Sequence, residues 1–137
     1  MTQPRDTPRA MPVEKLEVLK NAYDSLNKGD LEAALRHAAD DFVIQRAGPD
    51  PPVRGKDAVR AFLAPDAFSE LIFDPLEFRE GETSVFVWLT VRVRGAGSGI
   101  AMEQRAAHVW QWRNGRVASL KVTFDRGEAL EIAGLSE

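Results

Sequence analysis

Apolar and polar positions follow one period in the first half of this chain and another in the second, and that change divides the fold. From Val13 the apolar residues Leu16, Leu19, Ala22, Tyr23 and Leu26 recur at steps of three and four, the spacing of one helix face, and Gly29 ends the run. Asp30 then stands where a cap belongs, predicting a second helix through Ala39 with Leu31, Ala34, Leu35 and Ala38 inward. Phe42 to Arg46 reads as a short strand that breaks at Gly48-Pro49-Asp50-Pro51-Pro52, where paired prolines exclude helix and central strand alike. Lys56 to Leu63 predicts a third helix stopped before Pro65, and Ala67 to Ile72 a turn continuing it. Phe73 to Arg79 is placed as an edge strand, because Pro75 cannot donate to a central ladder.

From Ser84 onward the period is two. Ser84 to Arg94, the glycine-rich turn 95–99, Met102 to Arg113, Asn114-Gly115 and Arg116 to Phe124 read as two long antiparallel hairpins. Asp125 caps a last short helix through Ile132, and Gly134 ends it. Long strands of this kind must bury a face, and the upstream helices are the available cover.

Orientation follows from the alternation. Val85, Val87, Leu89, Val91 and Val93 are all aliphatic and are assigned to the helix-covered side; Ala118, Leu120, Val122 and Phe124 do the same for the last strand. For the strand between them, the turn decides. A three-residue loop over Arg113-Asn114-Gly115 sets His108 opposite Leu120 and points it inward, whereas a two-residue Asn114-Gly115 turn sets it opposite Lys121 and points it away. The first grouping is preferred because it gathers His108, Trp110, Leu120, Val122 and Phe124 on one lining. Phe86, Trp88, Thr90, Val109 and Gln111 then make an outer face too apolar for water, which suggests a homodimer contact between sheets.

Composition narrows the classes. With 137 residues, 44% hydrophobic, the chain can bury one core without staples, and a net charge of −3 with scattered Lys and Arg argues against nucleic acid. No cysteine is present, so disulfides and thiolate chemistry are excluded, in keeping with the cytoplasm. Residues 1–12 hold Pro4, Pro8, Pro12 and two arginines with no apolar run, and are read as a disordered tail rather than a signal or membrane segment; 13–137 form one domain. Two histidines far apart, with no carboxylate cluster, offer no metal site, and no cofactor is expected.

The words Gly29-Asp30-Leu31-Glu32-Ala33, Ala39-Asp40-Asp41-Phe42-Val43, Pro51-Pro52-Val53-Arg54-Gly55 before a helix, and Asn114-Gly115-Arg116-Val117 leading to Phe124-Asp125 come in a telling order. In that order the chain resembles the nuclear-transport-factor-two-like superfamily, which includes SnoaL-like proteins and ketosteroid isomerase. The resemblance implies a cone-shaped α+β fold of cystatin-like type, its strongly curved, mostly antiparallel sheet wrapped around N-terminal helices. It also implies a pocket for a small hydrophobic molecule and a homodimer. It carries over no complete catalytic set. In the segment similar to ketosteroid isomerase, Arg46 stands where the general-base aspartate would be. Tyr23 matches the oxyanion-holding tyrosine if one residue is dropped before Gly29, and the partner acid falls at His108. Against limonene-epoxide-hydrolase-like members, Leu89 and Val91 replace the expected arginine and aspartate, leaving Asp125. The polyketide-cyclase branch is least contradicted, with His108 and Asp125 in its acid/base positions.

Each candidate has two readings. His108 is a general acid or base tuned by burial, or a histidine satisfied within the sheet. Tyr23 aims its hydroxyl at the pocket mouth or packs on a helix face. Asp125 is a catalyst or a helix cap. Arg46 clamps an anionic ligand or pairs with Asp40, Asp41 or Asp50. Trp110, with Leu89, Val91, Leu120, Val122 and Phe124, lines a ligand site or packs the core. The functional expectation is a SnoaL-like pocket protein performing proton transfer on a hydrophobic or aromatic substrate, or a non-catalytic binding or dimerisation module.

Overall fold

A computed structural model describes residues 14–63 and 68–136; the expected tail 1–12 lies outside them. The elements are α1 (Lys15–Asn27), α2 (Leu31–Ala34), β1 (Ala38–Gln45), β2 (Val53–Arg54), α3 (Lys56–Phe62), β3 (Phe68–Glu80), β4 (Ser84–Gly95), β5 (Ala101–Arg113), β6 (Arg116–Thr123) and α4 (Arg126–Ile132). The strands form one six-stranded sheet in the order β2-β1-β6-β5-β4-β3, antiparallel except where β1 runs parallel to β6. This is the expected α+β architecture.

Two elements differ from expectation. Asp30 does cap α2, accepting from the Ala33 amide, but the helix lasts one turn instead of reaching Ala39. Pairing with β6 claims the chain earlier: Val117 N–H donates to the His37 carbonyl, and Ala38 already stands opposite Val117. Residues 68–72 are strand rather than turn, since β3 pairs with β4 from Phe68 onward. Pro75 does sit on the edge strand, beside a register shift that absorbs its missing donor.

The free edge of β3 is closed by α1. The Asn27 side chain donates to the Phe73 carbonyl and accepts from the Phe73 amide, both at 2.8 Å, so it substitutes for the neighbouring strand that β3 lacks. α1 lays Leu19 and Tyr23 onto the concave face, where Val85, Val87, Leu89, Ala106 and Trp110 complete the main core.

The hairpin between β5 and β6 reaches the expected orientation by another route. Arg113 faces Arg116 across a two-residue turn with positive φ at both Asn114 (53°) and Gly115 (78°), a type I′ geometry rather than the three-residue loop. Left alone, that turn would point His108 outward. A bulge corrects it: the register slips between Gln111 and Trp112, Ala118 is skipped, and His108 faces Val122 on the concave side.

The convex face is covered from within the chain. Ala129, Leu130 and Ala133 of α4 pack on Phe86, Ala107 and Val109, and the Ser84 hydroxyl donates to the Ala133 carbonyl at 2.8 Å. The Arg126 guanidinium lies over the Phe86 and Trp88 rings and pairs with Glu77 at 2.9 Å. The apolar surface that suggested a dimer is therefore largely occupied by α4.

Candidate functional site

The concave side holds a cavity of about 430 Å³ between the sheet, the end of α1 and α3. That is a volume suited to a small organic ligand. Leu26, Ile44, Phe73, Val91, Leu120 and Val122 give it apolar walls, while its polar lining comes from His108, Gln104, Arg46 and Asp50. Phe62, Met102 and Phe124 form an exposed apolar rim.

His108 is 5% exposed and held from behind. Its Nδ1 lies 2.7 Å from the Tyr23 hydroxyl, which in turn accepts from Trp110 Nε1–H at 3.0 Å. The three rings pack together, His108 stacked on Tyr23 and Trp110 edge-on to both. This arrangement fixes a proton. With one lone pair of the Tyr23 oxygen taken by Trp110, the tyrosine O–H has one acceptor in reach, Nδ1, so the neutral imidazole carries its hydrogen on Nε2. The opposite tautomer would bury the O–H without an acceptor, costing about 1–3 kcal/mol. Nε2 itself has no protein partner among the described residues, and it is not sealed by the protein around it.

Burial decides the charge state. With no carboxylate beside it, His108 drops to about 3 from the ordinary 6.5, so the ring is neutral at physiological pH. Burial drives Tyr23 far above its usual range, with the Trp110 hydrogen bond pulling slightly back, so the hydroxyl keeps its proton. A neutral Nε2–H inside an apolar cavity is a hydrogen-bond donor. It can polarise a carbonyl or hold a developing oxyanion, but it cannot accept a proton at Nε2.

The other candidates separate cleanly. Val91, Leu120, Val122, Phe124 and Arg46 line the cavity as expected. Leu89 and Trp110 do not; they are core residues, at 0% and 7% exposure, packed in one cluster with Leu19 and Tyr23 of α1. Trp110 contributes through Tyr23 instead. Asp125 is a cap: its carboxylate accepts from the Glu128 amide at 3.1 Å at the start of α4, away from the cavity lining. Tyr23 is wholly interior rather than at the mouth. Arg46 pairs with no carboxylate among the described residues: Asp40 goes to Lys56 and Asp41 to Arg113. Sequence reasoning passed over Gln104, Asp50, Phe73 and Met102 as cavity residues; the alternation already placed Gln104 and Met102 on the face of His108. Among the described residues no group of His, Asp and Glu is placed to hold a metal, and no helix is long and apolar enough to cross a membrane.

A curved sheet around a helix, with an apolar cavity on its concave side, defines an α+β cone. The chain belongs to the SnoaL-like domain family, whose match spans residues 19–120. No curated protein matches. Among solved structures, the chain is similar to an NTF2-like protein of unknown function from Burkholderia pseudomallei (25% identity, TM-score 0.72, 88% of this chain and 98% of that one). It is also similar to a Mycobacterium tuberculosis protein in complex with estradiol-17β-hemisuccinate (20%, TM-score 0.71, 80% and 92%). A cystatin-fold protein from Novosphingobium aromaticivorans shares the architecture (17%, TM-score 0.73, 83% and 99%).

Proposed function

We propose that the cavity binds a hydrophobic molecule through a carbonyl or phenolic oxygen and promotes proton transfer beside that oxygen. His108 acts as the electrophile, donating Nε2–H to the oxygen as charge develops there. Asp50, the carboxylate on the cavity lining, is the candidate proton acceptor. The observation that carries this reading is the Trp110–Tyr23–His108 chain, which holds a neutral donor in place before any ligand arrives. It narrows the expectation of a general acid or base at position 108 to a hydrogen-bond donor. The Mycobacterium tuberculosis neighbour, which holds a steroid ester, supports a ligand of this general kind. A second reading, binding without turnover, is favoured by the exposure of Asp50, which leaves the carboxylate on the cavity lining in solvent.

The test is α-proton exchange of the ketone 2-tetralone in D₂O, followed by NMR. Wild-type protein accelerates exchange over buffer. His108→Leu, verified as folded by circular dichroism, lowers the rate by roughly 10²-fold, the typical cost of losing one oxyanion donor. Asp50→Asn lowers it as well. Binding without faster exchange favours the second reading, and no binding contradicts both.

A further inference from the structure

If the Proposed function is correct, the far end of its ligand can be assigned too. Register fixes where Arg46 lies. β1 and β6 run parallel with Ile44 opposite Leu120 and Gln45 opposite Lys121, Arg46 follows directly where β1 ends, and Val122 faces His108 across the β5–β6 ladder. Ile44, Leu120 and Trp110 are buried on the concave face, and residues two further along or back share it. Arg46 and His108 thus line the same cavity from strands separated by β6.

The guanidinium is already oriented. Nε and Nη2 both donate to the Pro51 carbonyl, at 3.2 and 3.0 Å, and the Phe62 ring lies 5.3 Å from Cζ. These contacts close the side edge of the fork. Nη1 has no partner among the described residues, so the end-on pair of N–H groups on Nη1 and Nη2 is open. That pair matches the two oxygens of a carboxylate. Asp50 also lines the cavity and, among the described residues, makes no ion pair with Arg46.

We propose that the cavity selects an aromatic acid: a ring body against the apolar walls, a ketone or phenol oxygen on His108, and a carboxylate at the opposite end on Arg46. Arg46 is the specificity determinant for that carboxylate. Because it is only half-buried, its contribution is moderate, roughly tenfold in affinity.

Titration calorimetry with 2-naphthol and 6-hydroxy-2-naphthoate tests this, since the two share the ring and phenol and differ in the acid. Wild type binds the acid roughly tenfold more tightly. Arg46→Gln abolishes that preference, Arg46→Lys keeps part of it, and Asp50→Asn increases it. No preference in wild type, or a preference that survives in Arg46→Gln, overturns the proposal. Equal, His108-dependent binding of both compounds overturns this proposal but leaves the cavity reading standing, whereas failure to bind either overturns the cavity reading with it.

Discussion

The two faces of the sheet are built from alternate residues of the same strands, yet they end in opposite states. On the convex face α4 supplies Ala129, Leu130 and Ala133, and the small alanines let the helix approach Phe86, Ala107 and Val109 until no space remains. On the concave face α1 covers only part of the sheet. It packs Leu19 and Tyr23 over one end and leaves a cavity lined by the other. The polar groups differ in the same way. Those around α4 are consumed in holding the helix, as with Ser84 on the Ala133 carbonyl and Thr123 on Glu128. The concave chain from Trp110 through Tyr23 ends at an N–H with no protein acceptor among the described residues.

Paired substitutions should break this contrast in different ways. Leu130→Ala removes a side chain that is 2% exposed from the convex cluster and should cost about 2–5 kcal/mol in urea unfolding, without changing 2-naphthol affinity. Tyr23→Phe leaves His108 Nδ1 and Trp110 Nε1 without partners and should cost about 2–6 kcal/mol, summing two orphaned groups. Unlike the first change, it should also weaken phenol binding, because Nδ1 is then free to take the hydrogen that Nε2 presents.

A smaller effect is set by acid. The folded state holds His108 at about 3 while an unfolded chain protonates it near 6.5, so its contribution is intact above about 6.5 and lost as pH falls toward 3. Within that window the slope reaches at most about 1.4 kcal/mol per pH unit. His108→Gln should flatten the stability profile there, whereas Leu130→Ala should shift it uniformly.

Much of the fold was legible because periodicity reports burial directly. The aliphatic odd positions of β4, Asp30 and Asp125 as caps and Pro75 on an edge all stand where local chemistry put them. The end of α2 was not legible: Leu35 and Ala38 suit a helix face, and only pairing with Val117, far along the chain, makes the segment extended. His108 is the instructive case. Asn114-Gly115 forms the two-residue turn its sequence favours, and a bulge at Ala118 reverses the consequence. No local signal marks that bulge, since alanine suits either register. The partnership of Tyr23, His108 and Trp110 was equally hidden, because it joins residues 85 and 87 positions apart.

The central claim is the protonation state of one imidazole, and ¹⁵N NMR of His108 measures it. The structure predicts a protonated Nε2, a bare Nδ1 shifted by its hydrogen bond from Tyr23, and no titration between about pH 8 and pH 5, against the ordinary midpoint near 6.5. A hydrogen on Nδ1, or a midpoint close to that of a histidine in water, would contradict it.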